Sequence, residues 1–174
     1  SEYVHSDWDR AKFQLKTGKV LCLPHILNKN GYDTTYFGYS HPNETYFKKQ
    51  MTEFGFNNSL FYDEFLNKYL EGESPERGRY GNSDRQMLSG LWNYLERNKG
   101  GKPFFVGVST IETHPGMDVV DSERAYKKQN SRVLNMIHNF DYEFGKFLNR
   151  FKHSRYYDNT ILIVTADHAH SPSV

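Results

Sequence analysis

Two uninterrupted apolar runs constrain this chain more than any other feature. They are Pro103-Phe104-Phe105-Val106-Gly107-Val108-Ser109-Thr110 and Thr160-Ile161-Leu162-Ile163-Val164-Thr165. Neither alternates polar with apolar residues, so each reads as a strand buried on both faces, the first of them a central one. Between the runs, Val133, Ile137, Phe140, Phe144, Phe147, Leu148 and Phe151 recur at steps of three and four. That stripe predicts one long helix over about residues 121–153. A strand, a long helical crossover and a second strand make a parallel pair with the helix packed on the sheet.

The remaining pattern agrees with this class. Ser83 is placed to cap a helix over 84–99 that carries Met87, Leu88, Leu91, Trp92 and Leu95 on one side and stops at Gly100-Gly101. Upstream, Leu21, Leu23, Ile26 and Leu27 suit a helix face, with Pro24 in its first turn and Asn30-Gly31 as its stop. Residues 34–39 read as a strand, followed by a short helix through Met51, a strand near 59–62 and a helical piece to about Tyr69. Residues 72–81 read as loop. The expected fold class is α/β, a largely parallel central sheet flanked by helices. Ser1–Lys19 shows no period and is taken as a lead-in segment, with the domain over 20–174.

Composition narrows the possible functions. The 174 residues carry 22 Lys and Arg against 21 Asp and Glu, a net charge of +1, so no global field recruits nucleic acid or anionic lipid. No apolar run approaches the length of a bilayer span, and no leader pattern opens the chain. A single cysteine, Cys22, forbids an intramolecular disulfide and reads as a small buried hydrophobe.

In open parallel sheets ligands gather at the carboxyl ends of strands. The second apolar run leads straight into Ala166-Asp167-His168-Ala169-His170, three metal-ligating side chains at such an end. Mixed carboxylate and imidazole donors suit zinc or manganese better than magnesium or calcium. Spacing alone leaves two readings open: a metal pair, or a helix-capping Asp167 with histidines in solvent. His114 follows the first run and reads as an oxyanion contact, a proton donor to a leaving group, or an ordinary loop histidine. Glu112, two residues earlier, either orients His114 or is surface charge. His138 reads as structural, Asp141 as a local hydrogen-bonding residue, and His5, His25, His41 and His153 as surface or packing residues.

The stretch Asp158-Asn159-Thr160 through Asp167-His168 resembles the "DNT, apolar strand, DH" segment of the alkaline phosphatase superfamily. The fuller match is to its sulfatase-like branch, which contains lipoteichoic acid synthases and phosphoglycerol transferases. Leu23-Pro24 through Gly31-Tyr32, Phe54-Gly55-Phe56, Tyr80-Gly81-Asn82-Ser83-Asp84, Lys102-Pro103-Phe104-Phe105 and Asp141-Tyr142-Glu143-Phe144-Gly145 follow in the family's order.

The resemblance implies Asp167 and His168 as ligands of one catalytic divalent ion. His170 stands beside them, where alkaline phosphatases proper also carry a histidine. It implies His114 as a contact to the phosphate or sulfate group or its leaving oxygen, and puts Phe47 and Lys49 where relatives contact substrate. The nucleophile and first acidic ligand precede the Leu23-Pro24 helix in the family, and nothing in Ser1–Lys19 resembles either. The chain is therefore expected to hold the middle and later part of a catalytic domain and to be inactive alone.

The implied activity is metal-dependent phosphoryl or phosphoglycerol transfer, or phosphatase action, on esters of membrane lipid or cell-envelope glycan. Sulfate-ester hydrolysis is the alternative, and a binding domain with a vestigial metal site is the rival from another class. The implied place is the extracytoplasmic face of the membrane or the periplasm. Membrane contact would come through segments outside this chain, and no nucleic acid partner is expected.

Overall fold

The structure, a computed structural model, describes residues 21–39, 44–77, 81–98, 101–114, 117 and 131–167. The lead-in over Ser1–Lys19, the start of the predicted long helix, and His5, His41, His168 and His170 lie outside the described residues.

Helix α1 (Leu23–Lys29) has Pro24 in its first turn, and the His25 Nδ1 accepts the Cys22 N–H at 3.3 Å. Gly31 ends it with φ 82°, the left-handed stop that glycine permits. Cys22 is half-buried rather than a core residue, because it caps this helix. Strand β1 (Asp33–Gly38), helix α2 (Glu44–Glu53), strand β2 (Asn58–Phe61) and helix α3 (Tyr62–Tyr69) follow. Helix α4 (Asp84–Arg97) is capped by Ser83, whose side chain accepts from the Gln86 N–H at 3.1 Å. Strand β3 (Phe104–Val108), helix α5 (Arg132–Lys152) and a 3-10 turn (Tyr157–Asn159) complete the described elements.

The sheet order is β2-β1-β3, and both pairings are parallel. One face carries the main core. Phe37 on β1 is fully buried, with its ring centroid 5.0 Å from Phe65, 5.3 Å from Tyr94 and 5.5 Å from Tyr69. Met87, Trp92 and Leu95 of α4 and Phe147 and Phe151 of α5 complete this cluster. On the opposite face, Tyr36 packs against Phe56 and Phe61, and Phe56 stacks on Phe105. The Thr34 hydroxyl bonds Asn28 of α1 there at 2.9 Å.

Three expectations are corrected. The central strand is β1, whereas β3 pairs only with β1 among the described residues and all five of its residues are partly exposed. Residues 160–165 form no strand ladder, and Ile161 and Ile163 are 88% and 73% exposed. An apolar run becomes a buried strand only where a ladder partner and two covering layers meet it, and the described residues provide neither. The buried line of α5 is Met136, Asn139, Glu143, Phe147 and Phe151, while Val133 and Ile137 are about half exposed.

Two glycines test this packing. A Cβ at Gly90 of α4 would overlap the Phe65 ring of α3, whereas one at Gly145 of α5 meets open space. Alanine is the better helix former by ~1 kcal/mol, but overpacking a core costs ~1–3 kcal/mol. Gly145→Ala is therefore expected to raise the thermal midpoint and Gly90→Ala to lower it, as read by circular dichroism. A rise in both would mean that α3 and α4 are not packed as described.

Candidate functional site

The carboxyl ends of all three strands are tied to one tripeptide. Beyond β1, the Tyr39 carbonyl accepts the Asn82 N–H at 2.8 Å. At the end of β2 the chain enters α3 with no linker, and Tyr62 takes φ 42°, a strained value for a bulky residue. Its carbonyl accepts from the Asn82 side-chain amide at 3.2 Å. Beyond β3, the Ile111 and Glu112 N–H groups donate to Asp84 Oδ1 at 2.9 and 3.1 Å. Asn82, Ser83 and Asp84 are all buried, and Gly81, at φ 103°, lets the chain turn inward before them.

Glu112 answers Asp84 in kind. Its Oε2 accepts the Asp84 N–H at 3.0 Å and the Asn139 amide of α5 at 3.1 Å, and its Oε1 pairs with the Arg77 guanidinium. Glu112 is 1% exposed, so it is not surface charge, and its hydrogen bonds run to helix and loop partners rather than to an imidazole. Burial pushes the Asp84 carboxyl up to about 6, against the Ile111 N–H and the Arg77 charge, which act downward. Asp84 Oδ2 has no hydrogen-bond partner among the described residues, so it is the oxygen placed to carry that proton.

His114 is exposed at the apex of the next turn. Its N–H donates to the Ile111 carbonyl at 2.8 Å, and its own carbonyl accepts from the Met117 N–H at 3.2 Å. Ile111 and Met117 are buried with Met136 of α5, and Tyr39 packs against that cluster. Asp167 is exposed, and its charge reaches the same edge. Burial is the main cause raising the pKa values of Tyr39 and Tyr36, and the Asp167 carboxylate adds to both. The Tyr36 ring lies across Gly107, where a Cβ would come within 3.1 Å of it, and the phenol meets the Ser109 hydroxyl.

Among the described residues, then, the Asp167 charge and the His114 turn both reach Tyr39. Phe47 and Lys49 lie on the exposed side of α2, and Phe47 rests on Phe61 with centroids 6.4 Å apart. His138 and Asp141 are on the exposed side of α5, so His138 is not a core residue. No group of three or more His, Cys, Asp and Glu side chains with metal-site geometry occurs among the described residues, which exclude His168 and His170. Sequence reasoning took Asp84 as a helix start and as part of a family motif, gave it no role at the site, and passed over Arg77 and Asn139. The available signal was Asn139, a polar residue in phase with Phe147 and Phe151 on α5.

With this geometry in place, the comparisons are decisive at the level of family. The sulfatase family profile matches residues 2–173. The chain belongs to the sulfatase family. Its fold resembles a protein of the alkaline phosphatase superfamily from Vibrio parahaemolyticus, with TM-score 0.61 and 23% identity over 79% of this chain and 33% of that one. It also resembles the lipoteichoic acid synthase LtaP from Listeria monocytogenes, with TM-score 0.58 and 16% identity over 75% of this chain and 32% of that one. The chain thus spans about a third of the length of each of these solved structures. The family is usually enzymatic and generally uses a divalent metal. No described helix is long and apolar enough to cross a membrane.

The Asp84 carboxyl makes a prediction about stability. Its folded-state value of about 6 lies above the ordinary 3.8, so the folded chain binds this proton more tightly than the unfolded chain does. The group's penalty is complete above about pH 6 and is relieved as the pH falls toward 4. It amounts to on the order of 3 kcal/mol. Asp84→Asn keeps the Oδ1 acceptor without the charge, so it is expected to flatten the slope of unfolding free energy between pH 4 and 7. Urea titrations across that range provide the measurement, and an unchanged slope would reject the assignment.

Proposed function

We propose that this domain contributes the metal-binding and oxyanion-contacting part of a site that transfers or hydrolyses phosphate esters, phosphoglycerol esters in particular. The observation that carries the reading is the turn that presents His114 beyond β3, pinned by Ile111 and Met117 against Met136 and Tyr39, with the Asp167 carboxylate near enough to Tyr39 to act on its phenol. This is the carboxyl end of a parallel sheet, where such folds collect ligands. The exposed Asp167 carboxylate and the nitrogens of His168 and His170 make a donor set that fits manganese or zinc better than magnesium or calcium.

In this reading Asp167 and His168 hold one divalent ion, with His170 beside them. A bound ion supplies Lewis-acid stabilisation of the transferring group and lowers the pKa of an attacking hydroxyl. His114 contacts a non-bridging or leaving oxygen from its fixed turn, and Phe47 and Lys49 of α2 contact the rest of the substrate. The Tyr36 hydroxyl shares a hydrogen bond with Ser109, and burial pushes its phenol above the ordinary value, so it adds no competing negative charge. Collinear motifs and the lipoteichoic acid synthase neighbour favour phosphate over sulfate. The proposed setting is the extracytoplasmic face of the cell membrane or the periplasm, with lipid or envelope glycan carrying the ester.

Titration calorimetry of the native full-length protein with Mn²⁺ and Zn²⁺ tests the metal site. One ion per chain is expected, with affinity at least ~tenfold weaker in Asp167→Ala. Turnover by the native full-length protein of p-nitrophenyl phosphate and its diester is then compared with that of p-nitrophenyl sulfate. Preference for the sulfate ester would make the substrate assignment wrong and leave the metal site standing. Full turnover in Asp167→Ala would reject the catalytic role of this edge.

A further inference from the structure

The reciprocal bonding between Asp84 and Glu112 is elaborate for an exposed turn. The Asp84 carboxylate takes the two N–H groups that open the turn, and the Glu112 carboxylate takes the first N–H of α4. Arg77 and Asn139 bring in a third and a fourth segment of chain. Ion pairs buried this deeply are often no better for stability than apolar residues of the same volume. Their directional bonds do hold one segment in a single register. That segment is Ile111-Glu112, which is followed two residues later by His114, itself bonded back to Ile111.

We propose that Asp84 and Glu112 are positioning residues that fix the turn presenting His114 at the carboxyl edge of the sheet. The two acids do different work. Both Glu112 oxygens are engaged, one by the Arg77 cation, so Glu112 acts as an anion. Asp84 uses only Oδ1 toward the turn, so its hold needs an acceptor at that atom and no charge. An amide at position 84 therefore keeps the turn in place, and a methyl group does not.

The test reads His114 directly in the 174-residue chain by NMR. In Asp84→Ala, the His114 amide is expected to exchange with solvent at least ~tenfold faster, the equivalent of ~1.4 kcal/mol. The His114 Cε1–H resonance should shift as well, while the β1 amides keep their protection. Asp84→Asn should restore both signals, whereas Asp84→Leu, which fills the same space without an acceptor for the Ile111 and Glu112 N–H groups, should not. If Asp84→Ala does not fold, Asn139→Ala removes one bond to Glu112 and should speed His114 exchange severalfold. Unchanged His114 signals in a folded Asp84→Ala or Asn139→Ala chain would overturn the proposal.

The inference gains functional weight from the proposed role of His114, and the two are separable. In the native protein, Asp84→Ala should then lower kcat with little change in KM. If His114→Ala leaves turnover intact while Asp84→Ala still loosens the turn, the positioning stands and the role of His114 falls.

Discussion

The carboxyl edge of this sheet depends on the hydrogen bonds of Asn82 and Asp84. A parallel sheet delivers its strands to one edge, but nothing in the ladder itself orients the chain beyond the last pair of residues. Here one short segment at the start of α4 bonds to the exits of β1, β2 and β3 together. Tyr62 illustrates the effect. It sits in a left-handed conformation that costs a bulky residue free energy and persists only where surrounding bonds over-determine it. The Asn82 amide on its carbonyl is one such bond.

The polar character of this segment has an electrostatic logic. An apolar plug would bury as much surface, but it could not satisfy the N–H groups of Ile111, Glu112 and Asp84, which lie out of reach of water. Two carboxylates supply the acceptors, one arginine supplies countercharge, and the cost of burying the Asp84 carboxyl appears as its raised value. Beneath them, Met136 and the pair Ile111 and Met117 pin the turn on either side of His114. An exposed side chain thus stands on a mount with little freedom, as the proposed contact of His114 with a substrate oxygen would require.

Local signals in the sequence located most elements. Pro24 with Asn30-Gly31 bracketed α1, and Ser83 marked the first residue of α4. The α/β class followed from the alternation of strand and helix patterns, and the parallel order β2-β1-β3 agrees with it, although the predicted crossover to residues 160–165 forms no ladder. Non-local facts were harder to read. Strand β3 is more apolar than β1, yet β1 is central, because position in a sheet depends on partners rather than on composition. The face of α5 was misjudged because Val133, Ile137 and Phe140 outweigh Asn139 and Glu143 in hydropathy, while the latter pair lies in phase with Phe147 and Phe151. The site followed the same division. Asp167 and His114 stood out as chemistry beside apolar runs, whereas the Arg77, Asp84 and Asn139 partners of the turn are separated by up to 62 residues and only folding brings them together.

The outer side of β3 has a consequence for how this polypeptide behaves in solution. Among the described residues its ladder is used by β1 alone, and the apolar run at Ile161–Val164 lies exposed. An open parallel edge is a template for any strand that meets it. A net charge of +1 gives two copies almost no reason to stay apart. Near neutral pH, the open backbone amides of β3 and four exposed aliphatic side chains therefore favour strand-to-strand association between copies of this chain.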